Sequence, residues 1–335
     1  VYVADLRHAG SPDLRPVIAD VERLSAGAIV GGKLYVSTNI DADRSRIVVH
    51  DDPGHAVGLG LDSDPPEPGD TRPAPRNPWR TLIPEGAGNI ENWTFVGRST
   101  IAVQTIEDVQ AKIRLYRASD GHAMGEVALP TRGELAGFAG DVGSPLLAFA
   151  FDSYFFPPTL FVQAPTAHAP TQLDRVQSDV DTSAYELTQE HVPSADGTPI
   201  NVYLVHKRGL VRDGRSPVLL TGYGGFNVSL YPTFTRHALY FLEQGGVYAV
   251  ANLRGGGENG EAWHQAGNLL QKKHVFEDFE AVLRWLASSG LSSPDRIAIT
   301  GGSNGGLLMG AMITRCPETF RAAAADQQPS GVTLQ

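Results

Sequence analysis

Near residue 185 the apolar pattern of the chain changes period, and no single repeating architecture accommodates both halves. Upstream, short β-type runs alternate with turn clusters and show almost no helical period. Three of these runs resemble one another. The segments 31–36, 96–103 and 142–149 each carry a turn glycine at or beside their start, and each is followed by a second strand-like run, at 46–50, 112–116 and 159–162. The second and third lie about 46 residues apart, a propeller-blade spacing, and the first gap is lengthened by the polar, proline-rich stretch 51–78. The repeats predict about three propeller blades over residues 1–184, with an irregular β-sandwich as the alternative.

Downstream, residues 185–207 read as a hairpin with its turn at Asp196-Gly197. Buried strands follow at 217–221, 247–252 and 296–300. A helix over 235–244 is closed by Gly245, and a second carries Phe276, Phe279, Val282, Leu283 and Leu286 on one face. Strands alternating with helices predict a mostly parallel, doubly wound α/β sheet with helices on both faces over residues 185–335.

Composition narrows the function classes. At 335 residues, two cores are expected, and 41% hydrophobic with 19% charged residues is globular composition. No run approaches the roughly 18 apolar residues of a membrane span. A net charge of −10 argues against nucleic-acid binding, which needs a basic stripe to neutralise phosphates. Cys316 stands alone, so no intramolecular disulfide forms, and the ten histidines include no H-E-x-x-H; no metal and no cofactor are expected. The first residue is Val1, not methionine, so the compartment, cytoplasmic or periplasmic, is left open.

Directly after the third strand comes Gly301-Gly302-Ser303-Asn304-Gly305-Gly306, then the apolar helical stretch 307–314. This is G-x-S-x-G between a strand and a helix, the setting in which it forms a nucleophile elbow of an α/β-hydrolase. The flanking glycines Gly301, Gly302, Gly305 and Gly306 are expected to admit the strained turn and the approach of substrate. Ser303 would then stand at a helix N-terminus, where partial positive charge favours a developing oxyanion. A second glycine motif, Gly255-Gly256-Gly257-Glu258-Asn259-Gly260, satisfies the dinucleotide pattern, but the residues beyond it do not support one: Asp278 and Glu280 fall within a helix and not at a strand end.

Four segments in order, Gly222-Tyr223-Gly224-Gly225-Phe226-Asn227, Asn252-Leu253-Arg254-Gly255-Gly256-Gly257-Glu258, Trp263-His264 and the elbow, resemble the prolyl oligopeptidase family of serine peptidases. The upstream half resembles the later blades of that family's seven-bladed propeller. The resemblance implies an α/β-hydrolase domain capped by a propeller, both incomplete here, acting on short peptides on the carboxyl side of proline; the full-length parent is expected to be a monomer. It implies Ser303 as nucleophile, with the Asn304 backbone N–H and the Tyr223 hydroxyl as oxyanion donors. Phe226 and Asn304 match residues lining the pocket for the substrate's proline. From the residues alone, Tyr223 and Phe226 read as core aromatics after a strand.

The triad of α/β-hydrolases runs Ser, Asp or Glu, His in chain order. Here the last histidine is His274, upstream of Ser303, and the only later aspartate is Asp326. Asp326 is too near the elbow to be the acid, and recruiting His264 or His274 would break the chain order. The 335 residues are therefore expected to be a fragment, inactive or nearly so alone. A member of the same family cutting after another residue, and a non-catalytic binding protein, are the alternatives. The run Asp326-Gln327-Gln328-Pro329-Ser330-Gly331 departs from the apolar continuation the family shows after the next strand.

Overall fold

The computed structural model describes residues 2–3, 15–16, 25–51, 79–178 and 181–326. The proline-rich stretch and the run after Asp326 lie outside the described residues, from 52 to 78 and from 327 onward.

The described residues of the first half include three four-stranded antiparallel sheets. The first contains β1 (Ser25–Val30), β2 (Lys33–Thr38), β3 (Arg46–His50) and β4 (Trp79–Ile83). The second contains β5 (Asn89–Val96), β6 (Thr100–Glu107), β7 (Gln110–Arg117) and β8 (Ala123–Glu126). The third contains β9 (Glu134–Asp141), β10 (Ser144–Asp152), β11 (Thr159–Gln163) and β12 (Thr171–Arg175). Within each sheet, strands pair in chain order, as propeller blades do. Strand β6 shows why its run Ile101-Ala102-Val103 is apolar without alternation. Ile101 and Val103 point into a cluster with Tyr35, Ile47 and Phe95, while Ala102 points the other way, into a cluster with Leu147 and Phe149. A strand buried on both faces loses the alternation that marks a half-exposed one.

The second half forms one six-stranded sheet in the order β13-β14-β16-β15-β17-β18. These are β13 (Tyr185–Pro193), β14 (Pro199–Lys207), β15 (Val218–Gly222), β16 (Val247–Asn252), β17 (Ile297–Gly302) and β18 (Ala322–Asp326). The hairpin β13–β14 is part of this sheet, and it makes the sheet mixed. Strand β14 pairs antiparallel with both β13 and β16, whereas β16, β15, β17 and β18 run parallel.

Period-two alternation divides the sheet's two cores. Val202 and Leu204 of β14, with Ala249 and Ala251 of β16, face the helices α3 (Lys273–Ser288) and α4 (Asn304–Arg315), which follow the short α2 (Glu261–Gln265), and Phe279, Val282, Leu283, Leu308 and Met312 are buried there. Tyr203, Val205, Tyr248 and Val250 face the opposite side, covered by Ala238, Leu239 and Leu242 of α1 (Arg236–Glu243) and by Val109 and Tyr154 from the propeller. The two halves thus share a core, and the Tyr203 hydroxyl donates to the carbonyls of Asp108 and Val109 at 3.1 and 2.9 Å. Further hydrogen bonds cross the junction, among them Phe234 N–H to Asp152 at 2.7 Å and the Tyr231 hydroxyl to Glu91 at 3.2 Å.

Candidate active site

Strand β17 ends at Gly302 and α4 begins at Asn304, so Ser303 alone makes the turn. Its φ is 53° and ψ −118°, a conformation an L-residue adopts only under constraint. Two glycines supply that constraint's room. A Cβ on Gly301 would lie 2.6 Å from the Gly305 carbonyl, and one on Gly305 would lie 2.9 Å from that of Gly222. Gly302 differs from the expectation: the nearest atom to a Cβ there is 3.6 Å away, so the turn does not require glycine at that position. Ser303 itself is exposed, above the carboxyl ends of the parallel strands, and its N–H donates to the Asp326 carbonyl at 2.9 Å. The first N–H groups of α4 have no intrahelical acceptor and leave partial positive charge beside the hydroxyl.

The loop after β15 carries the other candidates. Tyr223 is half-buried, and Phe226 is 76% exposed at φ 54°, so the phenylalanine is not the core aromatic that position alone would suggest. The Asn304 side chain is buried: Nδ2 donates to the Tyr223 carbonyl at 2.5 Å, and Oδ1 accepts from Lys272 Nζ at 3.0 Å. Lys272 also donates to the Gly224 carbonyl at 2.7 Å. Burial pulls its pKa down to about 8. Nothing in the sequence marks this lysine, which stands among Gln271, Lys273 and His274 just ahead of an apolar helix.

The glycine motif 255–260 supports the same loop. A Cβ on Gly257 would lie 2.7 Å from the Asn227 carbonyl, and the Gly255 carbonyl accepts from Asn227 N–H at 3.2 Å. Asp278 has no role toward a ribose. It is fully buried in α3 and paired with Arg254, whose guanidinium also reaches Asp196 and Ser194 of the β13–β14 turn. His264 is engaged through both ring nitrogens, with the Gly255 carbonyl and Asn268, and His274 Nδ1 faces the Ala266 carbonyl at 2.8 Å. Asp326 lies level with Gly302 across β17–β18. Among the described residues no group of three or more His, Cys, Asp or Glu side chains could hold a metal ion, and no helix is long and apolar enough to cross a membrane.

A strained serine between a parallel strand and a helix, below propeller blades sharing its sheet's core, defines a propeller-capped α/β-hydrolase. Residues 1–174 match the profile of the prolyl oligopeptidase N-terminal β-propeller domain, and residues 232–333 match that of the prolyl oligopeptidase family. The chain belongs to the prolyl oligopeptidase family. It is 34% identical over 315 residues to a prolyl endopeptidase of Elizabethkingia meningoseptica, covering 89% of this chain and 44% of that protein. A solved prolyl endopeptidase superposes with a TM-score of 0.81 at 32% identity, over 94% of this chain and 44% of its own. Prolyl oligopeptidase B from Galerina marginata, solved bound to a 35mer hydrolysis and macrocyclization substrate, superposes at 0.80 with 27% identity, over 96% and 44%. The chain thus spans less than half the length of these relatives.

Proposed function

We propose that this chain forms the propeller and nucleophile-bearing part of a serine peptidase that hydrolyses short peptides on the carboxyl side of proline. Ser303 attacks the scissile carbonyl, the Asn304 N–H and Tyr223 hydroxyl hold the oxyanion, and an acyl-enzyme forms and is hydrolysed. The observation that carries the reading is the conformation of Ser303, φ 53° at the head of α4, with the Tyr223 loop fastened to the next residue. The exposed Phe226 ring beside that loop supports an apolar contact for proline. The base and acid are assigned to the length that the relatives have beyond this chain, since His264 and His274 precede the elbow and hydrogen-bond the main chain of their own loop.

The test is hydrolysis by the polypeptide expressed from the complete reading frame encoding this chain. Fluorogenic dipeptides ending in proline, alanine and arginine are compared, with Ser303→Ala as control. Cleavage after proline that is lost in Ser303→Ala supports the reading. Preference for arginine or alanine would move the specificity elsewhere in the family, and silence on all three would favour a non-catalytic binding role.

A further inference from the structure

Two consecutive carbonyls of the loop after β15 are held by side chains from outside it. Asn304 Nδ2 holds that of Tyr223 at 2.5 Å, and Lys272 Nζ holds that of Gly224 at 2.7 Å. The two holders are joined to each other, because the Lys272 ammonium also donates to Asn304 Oδ1 at 3.0 Å. A closed circuit therefore runs from the residue after the nucleophile, through the lysine, to the loop bearing Tyr223. The loop lies directly on the asparagine: a Cβ on Gly225 would come within 2.6 Å of Nδ2.

The lysine's setting is costly for a residue that only fills space. Its ammonium is largely removed from water, its acceptors in this circuit are both neutral, and burial alone lowers its pKa to about 8. A methionine would occupy the same volume without desolvating a charge. What methionine lacks is the fork of donors that orients Asn304's amide oxygen and thereby commits the amide nitrogen to Tyr223.

We propose that Lys272 is a positioning residue for the oxyanion hole, setting the separation of the Tyr223 hydroxyl from the Asn304 N–H by tying the backbone of the Tyr223 loop to the Asn304 side chain. This rests on the peptidase reading above. An oxyanion hole acts only when its donors meet the position of the oxyanion, and a displacement of about 1 Å can cost roughly a hundredfold in rate. The effect should fall on kcat and spare KM, because the contact matures in the transition state.

The experiment is a double-mutant cycle of Lys272→Met and Tyr223→Phe in the polypeptide from the complete reading frame, using a proline dipeptide substrate. Lys272→Met should lower kcat roughly 10-fold to 100-fold with KM changed less than about threefold. In the Tyr223→Phe background the same change should cost less than about threefold, because the hydroxyl to be placed is already gone. Unchanged kcat in the single variant, or losses that simply multiply, overturn the inference. If Lys272→Met does not fold, as judged by circular dichroism, Lys272→Gln, which keeps a donor without the charge, is carried through the same cycle under the same criteria. Wild-type protein whose Ser303 resists a fluorophosphonate overturns the peptidase reading and this inference with it; labelled wild type with an unaltered lysine variant overturns this inference alone.

Discussion

Arg254 and Asp278 form a buried ion pair that joins the end of β16 to the first turns of α3. The guanidinium Nε lies 3.1 and 3.0 Å from the two carboxylate oxygens, and the Arg254 N–H donates to the same carboxylate at 3.2 Å. Asp278 is 0% exposed and also accepts from the Ser194 hydroxyl at 2.6 Å. Both charges are thus satisfied where water does not reach, and the pair fixes the segment from which the 255–260 loop departs.

Asp278→Asn keeps the shape and removes the charge, leaving buried Arg254 with only the exposed Asp196 carboxylate as counter-charge. Breaking a buried pair from one side costs roughly 3–5 kcal/mol. Urea unfolding should show a midpoint lowered accordingly with the slope unchanged; a loss below about 1 kcal/mol would mean the pair is no more than a surface-like contact.

The elbow glycines separate into required and spare. Gly305→Ala places a methyl 2.9 Å from the Gly222 carbonyl and should destabilise by about 1–3 kcal/mol. Gly302→Ala meets nothing nearer than 3.6 Å and should stay within about 0.5 kcal/mol of wild type. Thermal denaturation of both variants measures the contrast, and equal effects would contradict the packing described for the turn.

Glu258 is buried beneath the 230 segment, where its Oε1 accepts from Leu230 N–H at 2.9 Å and Asn252 Nδ2 at 3.1 Å. Burial raises its pKa to about 7 from 4.5. The folded state therefore binds a proton more tightly than the unfolded chain, so stability is fully present below about pH 4.5 and falls as pH rises to about 7. Glu134 behaves in the same sense, raised to about 7 by burial and then by Asp152 and Glu91, so the wild-type slope is shared. Glu258→Gln should remove its part, leaving the variant more stable than wild type at pH 8 relative to pH 5 by up to about 3 kcal/mol. Parallel stability curves for the two proteins would contradict the shift.

Much of this architecture was legible because the local signals agreed with one another. The strand pairs of each blade stand out as apolar runs between turns, and the elbow stands out because G-x-S-x-G sits between a buried strand and an apolar helix. Other features depend on contacts between distant segments. That the predicted hairpin joins the six-stranded sheet antiparallel to β16 is invisible in a pattern that records burial but not direction, since Tyr203 and Val250 look alike whichever way their strands run. Asn304 carries a motif position, yet its side chain serves Tyr223, 81 residues earlier in the chain. Lys272 has no periodicity to betray it, since its value lies in two acceptors 48 and 32 residues away.

The central claim is that Ser303 is a nucleophile. The most direct test treats the protein from the complete reading frame with a fluorophosphonate and maps the adduct by mass spectrometry, alongside Ser303→Ala. The account predicts one phosphonylated residue, Ser303, with loss of proline-directed cleavage in step with labelling. Folded protein that stays unlabelled, or an adduct on another residue with Ser303→Ala still active, would contradict it.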